Sequence, residues 1–395
     1  MKNLTRFTSV LFLIGSAIFP AHAAFTSLYV FGDCLSAGTT NQPVGIYYGD
    51  RYSNGRVWVE VLAQRQGLVF NLKGNTNSFF GNTSGLMLSE VNSFVPPKDA
   101  ANALVVIWVN NADMYYPATD SNPSLTKFNA VINQAQANHY AAITSLYAKG
   151  IRTLIMTNVV DLSTVPAFNA NPNYTSLFHQ ASLNYNAAFT ATLNKARANC
   201  PGLTIYVPDF YTLLANLLAH PASYGVTNIL GYNGKSIDAS DAQNVGMPVA
   251  KVNGFGTNCI FWDPQDPTAM VHNWMANLTQ QLISPAQISQ LNPGTGIDQL
   301  NLGNVPVGQN GFVESCTNLA VSCWISITNF NSIAPIQSIV VNAPPLPPVS
   351  AGSGGSGSGG SIDPNNPGTN EVAGTPAITA ARFYRLQFPV TWQWP

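Results

Sequence analysis

Short, continuous apolar runs recur along the first two thirds of the chain and are separated by longer amphipathic stretches. Such runs are typical of strands buried on both faces of a parallel sheet, whereas a half-buried strand would alternate apolar and polar residues. We therefore predict strands at residues 27–31, 104–109, 151–157 and 203–207, and a shorter fifth strand at 260–262.

The stretches between these strands have apolar residues at helical spacing. They predict helices over about 125–149 and about 175–199, and a third helix that starts near Thr268. Gly150 follows the first of these helices, as expected for a helix that ends in a left-handed glycine. Alternating strands and helices predict an α/β fold with a parallel sheet sandwiched by helices, and its chemistry is expected at the carboxyl ends of the strands.

The pattern changes after about Ser289, where only short apolar segments between turns remain. They predict a small β module over 291–395, after a first domain over 24–290. Residues 351–361 are almost pure Gly and Ser, which predicts a flexible segment, and we favour a loop inside the module over a linker. The module's aromatic residues form either a sugar-binding platform or, as we favour, its sheet core: Trp324, Phe383, Tyr384, Trp392 and Trp394.

The first 23 residues have the features of an export signal. Lys2 and Arg6 precede an apolar run over 10–19, which is too short to span a bilayer, and Ala21 to Ala23 form a small-residue cleavage site. We predict cleavage after Ala23 and a secreted, periplasmic or cell-surface protein; the alternative is an N-terminal membrane anchor. We expect no integral membrane segment after signal removal.

Charged residues make up only 8% of the chain and hydrophobic residues 46%. This composition argues against bulk disorder, and 16 Lys and Arg spread over 395 residues argue against a nucleic-acid partner. An exported protein can form disulfides. Cys316 and Cys323 are close in sequence and could close a hairpin, and Cys200–Cys259 is a plausible second pair, but the sequence does not fix the connectivity. Cys34 is then left over, and no cysteine spacing suggests zinc.

Five sequence blocks carry the candidate chemistry. The first strand leads into Gly32, Asp33, Cys34 and Leu35, a sharp turn that exposes the next side chain at the sheet edge, where a nucleophile belongs. The other four blocks follow in order downstream: residues 52–60, 78–84, 105–113 and 261–268.

In this order and context, the blocks resemble the GDSL family of lipases and esterases, also called SGNH hydrolases. The resemblance covers about residues 24–290 and implies a flavodoxin-like sheet and hydrolysis of acyl esters, without a cofactor or metal. It implies that the catalytic positions are Cys34, Asp263 and Asp266. The oxyanion or substrate-binding positions implied by the resemblance are Gly81, Asn111, Ala112 and Asp113.

Several positions depart from the family pattern. Cys34 stands at the serine nucleophile, Asp266 at the histidine base and Ala112 at the oxyanion asparagine, while Gly81 and Asp263 are retained. A cysteine nucleophile needs a lowered pKa, yet nearby carboxylates are expected to raise it. A carboxylate is also a poor base for a thiol, and Cys34 is otherwise expected to be a small buried hydrophobe.

Few residues are available as replacements. His272 lies six residues after Asp266, so on a helix the two side chains point about 120° apart. We expect His272 to be a packing or surface residue, and His139, His179 and His220 to be ordinary helix or loop residues. Asn111 or Asn82 is a possible oxyanion donor, with turn stabilisation as the alternative role. The spacing of these groups fits no metal site.

Three hypotheses follow. The chain is an exported GDSL-type esterase acting on acyl esters of lipid or carbohydrate, with a weakened or inactive site. Alternatively it is a non-catalytic relative that binds a lipid, acyl chain or glycan at the cell surface. The third hypothesis is a structural or adhesive surface protein whose function depends mainly on the β module. The sequence does not define an oligomeric state.

Overall fold

The computed structural model describes residues 25–38, 47–48, 51–70, 76–169, 171–226, 259–294, 296–317, 324–342 and 382–388. The predicted export signal, the Gly/Ser-rich segment, Cys323, Trp392 and Trp394 lie outside these residues. None of the described helices combines the length and the apolar character that a membrane span requires.

A five-stranded parallel sheet lies at the centre of the N-terminal part of the chain, with strand order β2-β1-β3-β4-β5. Every residue of the middle strand β3 is buried, which explains its unbroken apolar sequence. The strands are β1 (Ser27–Gly32), β2 (Thr76–Ser78), β3 (Ala103–Trp108), β4 (Thr153–Met156) and β5 (Thr204–Tyr206).

Four of the five predicted strands are confirmed. The prediction at 260–262 is wrong, because these residues form one arm of a turn with an isolated bridge from Phe261 to Pro267. The fifth place in the sheet is taken by β2, whose sequence Thr-Asn-Ser lacks an apolar signal.

Helices flank the sheet, and the three predicted ones are confirmed. α4 packs against α6, and α1 packs against α8. Gly150, with φ +92°, follows α4, and Thr268 caps α8 by accepting a hydrogen bond from Val271 N–H. The helices are α1 (Trp58–Arg65), α2 (Ser84–Ser93), α3 (Asn110–Thr119), α4 (Leu125–Ala148), α5 (Pro166–Asn169), α6 (Pro172–Asn199), α7 (Phe210–Ala219) and α8 (Ala269–Ile283).

The C-terminal region contains two three-stranded antiparallel sheets, with strand orders β10-β7-β6 and β11-β8-β9. They share a small core of their own, in which Leu300, Leu302, Val313 and Val341 are fully or almost fully buried. The strands are β6 (Gln287–Pro293), β7 (Ile297–Gly303), β8 (Asn310–Cys316), β9 (Ile325–Asn331), β10 (Gln337–Asn342) and β11 (Phe383–Gln387).

This arrangement agrees with a small β module. β6 runs across the predicted boundary at 290/291, and the division into two domains stays a prediction.

Only part of the cysteine prediction is met. Cys200 is buried and carries a free thiol, so the Cys200–Cys259 disulfide is wrong. Cys316 is disulfide-bonded, and Cys323, its expected partner, lies outside the described residues. Cys34 has a free thiol, as expected for the residue left over.

Candidate active site

Cys34 lies in a tight turn at the carboxyl end of β1. The turn is a single 3₁₀ segment over Cys34–Ser36, and Asp33 caps it by accepting a hydrogen bond of 3.0 Å from Leu35 N–H. Gly32 is required before it, because a Cβ atom there would lie 2.6 Å from Cβ of Ser36. The backbone N–H of Asp33 donates to the carbonyl of Trp108, which ties the turn to the end of β3.

Asp263 and Asp266 are the two ends of a second turn, just before α8. One oxygen of Asp263 accepts backbone hydrogen bonds of 2.7 Å from both Gln265 and Asp266, and its other oxygen accepts from the hydroxyl of Tyr47. Asp266 lines the same cavity as Cys34, and its carboxyl acts electrostatically on the thiol. The structure therefore brings together the nucleophile and base positions implied by the resemblance.

The surroundings of Cys34 keep its thiol protonated. Burial raises the thiol pKa well above its ordinary value, and the carboxyls of Asp266, Asp33 and Asp263 raise it further. Burial and the neighbouring Asp263 likewise raise the pKa of Asp266. Burial also raises the pKa of Asp33 to about 7, although the N–H groups of Leu35 and Ala112 oppose this shift.

Among the described histidines, none contacts Cys34. His272 is completely buried on α8, accepts a hydrogen bond of 3.3 Å from Trp58 N–H, and has its pKa lowered by burial to about 3. His179 is paired with Asp161 at 2.6 Å, and His139 is buried edge-on against Phe189. His220 lies at the end of α7. The expectation that these residues pack or cap rather than act as a base is in accord with these positions.

Two groups could donate hydrogen bonds to an oxyanion beside Cys34. One is the backbone of Gly81, which the family also has, and the other is the side chain of Asn111. Gly81 lines the cavity beside Cys34 with φ +81°, a backbone conformation that favours glycine. Asn111 and Ala112 also line this cavity, at the start of α3. Both polar side-chain atoms of Asn111 are buried and have no hydrogen-bond partner.

The two asparagines proposed as replacement donors are thereby distinguished. The Asn82 amide donates to the carbonyls of Gly32 and Asn77, at 3.0 and 3.1 Å, so it holds the β1 and β2 ends together. Asn111 is the one that faces the cavity.

Asp113 differs from what the resemblance implies, because it is not among the described residues that line the cavity. Its carboxylate accepts hydrogen bonds from the backbone N–H and the hydroxyl of Ser84, at 2.9 and 3.0 Å. This joins the start of α2 to the first turn of α3. We therefore assign Asp113 a role in positioning α3, and with it Asn111, rather than in substrate contact.

A cavity of about 100 Å³ opens beside Cys34. The polar residues that line it include Asp33, Cys34, Asn111, Gln265 and Asp266. Most of its wall is apolar and comes from strand ends, loops and the helices α3, α5, α7 and α8. It includes Trp108, Phe168, Phe210, Leu214, Phe261 and Met275.

Aromatic rings extend from this cavity to the surface, a feature that the sequence analysis missed. Tyr47, Tyr52, Phe80 and Tyr115 form a chain of ring contacts with centroid distances of 5.2 to 6.1 Å. Phe80 is 50% exposed, and the neighbouring Tyr116 is 60% exposed. Their only sequence signal is that each lies in or close to one of the motif blocks.

The carboxyls around Cys34 do not amount to a metal centre. Within the described part of the chain, no group of three or more His, Cys, Asp or Glu side chains is arranged to hold a metal ion. The chemistry available at the site is therefore that of a neutral thiol, buried carboxyls and an unpartnered carboxamide beside an apolar cavity.

The site combines a parallel sheet with a nucleophile turn after β1 and an Asp-x-x-Asp turn before α8. This combination is that of an α/β acyl hydrolase. The family model of GDSL-like lipases and acylhydrolases matches residues 28–279, and the chain belongs to this family. No curated protein matches the chain.

Solved structures with similar folds include members of the same family, all at low identity. A G-D-S-L family lipolytic protein from Veillonella parvula is 14% identical, with a TM-score of 0.35 over 65% of this chain and 98% of that chain. A GDSL-like lipase from Bacteroides thetaiotaomicron is 16% identical, with a TM-score of 0.34, 65% coverage of this chain and 86% of that chain. The acetylxylan esterase Axe2 from Geobacillus stearothermophilus is 11% identical, with a TM-score of 0.37, 65% coverage of this chain and 94% of that chain.

Proposed function

We propose that this chain is an exported, catalytically impaired member of its family that holds a short acyl group in the cavity beside Cys34. The observation that carries the proposal is the placement of the Asp266 carboxyl near the Cys34 thiol in one cavity, where the family has a histidine and a serine.

A neutral thiol is a weak nucleophile, because the thiolate is the reactive form. Here the buried carboxyls hold the thiol pKa high, and the base position carries an acid whose own pKa is raised. General-base catalysis typically contributes about 10²–10⁴-fold to a rate. Losing the base and the thiolate together is expected to leave little hydrolysis.

Binding, in contrast, is supported by the cavity. Its walls are mainly aromatic and aliphatic with a small number of polar groups, as in most small-molecule sites. At about 100 Å³ it is smaller than the ~150 Å³ cavity that suffices for benzene, which favours a short acyl chain over a long one. An ester carbonyl beside Cys34 would lie near Gly81 and Asn111.

Export is part of the proposal. It rests on the positive start, the short apolar run and the small-residue cleavage site of residues 1–23. Cell fractionation of the full chain, with mass spectrometry of the mature N-terminus, tests it. Recovery of the intact chain in the cytoplasm would contradict it.

An assay with p-nitrophenyl butyrate tests the impaired site, using wild type and Cys34→Ala. We expect both proteins to bind the ester saturably and to release nitrophenol at the buffer rate. Turnover by the wild type that disappears in Cys34→Ala would instead identify a working cysteine esterase.

Glycan binding is a second candidate, favoured by the exposed rings of Phe80 and Tyr116 at the cavity mouth. Exposed aromatic faces suit the apolar faces of sugar rings. Calorimetric titration with soluble oligosaccharides tests it, and loss of binding in Phe80→Ala but not in Phe128→Leu, a core substitution, would support it. No heat of binding with the wild type would reject it.

A further inference from the structure

Arg65 is a buried cation for which the described residues offer no carboxylate. It ends α1, is only 3% exposed, and its guanidinium donates to the side chain of Asn273 and, at 3.5 Å, to the carbonyl of that residue. The charged group that acts on it is Arg56, another cation. Buried charges in proteins are ordinarily paired, because an unpaired one carries a large desolvation cost.

Arg65 keeps its charge at neutral pH. Burial, with repulsion from Arg56, lowers its pKa to about 9, which is still well above 7. A carboxyl in the same position would escape its desolvation cost by taking up a proton. Arg65 has no such route at physiological pH and needs a negative partner instead.

Other donors without acceptors lie around it. The amide nitrogen of Asn273, whose oxygen faces Arg65, is buried and has no partner. Asn277 lies one turn further along the same face of α8, and its buried amide nitrogen is also without a partner. Its oxygen accepts a hydrogen bond of 3.3 Å from Gln309, in the loop before β8.

We propose that a small anion of chloride or carboxylate type binds between α1, α8 and the loop before β8, held by Arg65 and the amide groups of Asn273 and Asn277. The site lies where the β module meets the first domain. There Val307 N–H donates to the Arg65 carbonyl at 3.2 Å, and Gln309 reaches Asn277. The anion neutralises Arg65, satisfies the free amide donors and stabilises this junction.

Thermal unfolding of the mature chain tests the site at constant ionic strength, with the sodium salt of a bulky sulfonate, 2-morpholinoethanesulfonate, exchanged for sodium chloride in one arm and for sodium acetate in another. A bound anion raises the unfolding midpoint saturably, by roughly 3–5 °C at one hundred times its Kd. The arm with the larger rise identifies the ligand as halide or carboxylate. Equal midpoints in all three salts overturn the proposal.

Three variants make the test specific. Asn273→Asp supplies a carboxylate beside Arg65, and it is expected to unfold at a midpoint that no longer depends on the anion. Arg65→Met is expected to lose the response as well, while Arg152→Met, which removes an arginine bonded to the carbonyls of Tyr147 and Ile151, keeps it.

Because Asn273→Asp retains the buried cation, it remains informative if Arg65→Met does not fold. An anion response in Asn273→Asp equal to that of the wild type would count against the site. If chloride gives the larger rise, anomalous diffraction from bromide-soaked crystals is expected to give a peak beside Arg65, and its absence there would also count against the site.

Discussion

The carboxyls around Cys34 and the guanidinium of Arg65 are both buried without a partner of opposite charge, yet they differ in how they can be neutralised. Burial raises the pKa of Asp266, and that of Asp33 to about 7, so these acids take up protons. Arg65, with a pKa of about 9, stays charged. A cluster of buried acids is thus tolerated without any ligand, whereas the buried arginine requires one.

This difference bears on what each region can do. The raised pKa values of Asp33 and Asp266 and the neutral thiol lower the charge of the polar groups that line the cavity, which suits an apolar ligand with an ester group. The same protonation lowers reactivity, because the Asp266 carboxyl cannot act as a base and the Cys34 thiol cannot act as a nucleophile while each keeps its proton. The region around Arg65 keeps its charge and is suited to binding an ion rather than to chemistry.

Restoring the family's catalytic residues is expected to have the largest effect on the region around Cys34, because it replaces the protonated groups there with a working base. A triple variant with Cys34→Ser, Asp266→His and Ala112→Asn supplies a base and an oxyanion donor, and Asp263 is retained to orient the histidine. We expect hydrolysis of p-nitrophenyl acetate to rise by at least about 10²-fold over the wild type.

Tyr47 makes a further variant necessary. Its hydroxyl donates a hydrogen bond to the Asp263 oxygen that is not bonded to the turn, and the new histidine would need that oxygen. A fourth change, Tyr47→Phe, frees that oxygen for the new histidine. If neither the triple nor the quadruple variant gains activity while circular dichroism shows both to be folded, the cleft has changed beyond these positions.

A bulky substitution in the cavity wall tests whether the cavity beside Cys34 binds the ester. Leu214→Trp adds bulk to a cavity wall, and we expect at least about tenfold weaker binding of a p-nitrophenyl ester, since each buried CH₂ group contributes roughly 0.8 kcal/mol. Leu183→Trp, at a 40% exposed position on α6, is the matched control. Equal binding by both variants in fluorescence titrations would place the ligand elsewhere.

Much of the first domain could be predicted because its signals are local. The buried strands have continuous apolar sequences, and Gly150 and Thr268 mark helix ends. The proximity of Cys34 and Asp266 could also be anticipated, but only through the family motifs, since 232 residues separate the two in sequence. The raised thiol pKa then followed from the charges expected around it.

What could not be predicted depends on long-range packing. β2 has the polar sequence Thr-Asn-Ser and is a strand because it pairs with β1, whereas the apolar residues 260–262 bury themselves in a turn. Nothing in the α1 sequence shows that Arg65 is covered by α8 and the β module. The choice between Asn111 and Asn82 likewise depended on which carbonyls lay within reach of each amide.

The buried acids predict a pH dependence that Asp266→Asn should reduce. The Asp266 pKa is raised in the folded protein, so between its ordinary value of 3.8 and its folded value only the unfolded chain has ionised. Its stabilising contribution is therefore complete below about pH 4 and is lost as the pH rises through the folded value.

The measurement is the difference in unfolding midpoint between wild type and Asp266→Asn, from about pH 4 to about pH 8. We expect the wild type to lose stability relative to the variant as the pH rises. His139 and His272, whose pKa values are lowered to about 4 and about 3, act in the opposite sense up to about pH 6.5. They do so equally in both proteins, so the difference isolates Asp266, and a difference independent of pH would contradict its raised pKa.

Removing an exposed cation is expected to have the smallest effect on the unfolding midpoint, and it serves as the control for the buried Arg65. Lys127 and Asp120 are 2.7 Å apart, with 45% and 35% of their side chains exposed, so water already solvates both charges. Lys127→Met should therefore leave the unfolding midpoint unchanged within error, since exposed pairs add little to stability. If Lys127→Met cost as much stability as Arg65→Met at equal salt, burial would not be what distinguishes the two cations. Burial would then give Arg65 no need of a bound anion.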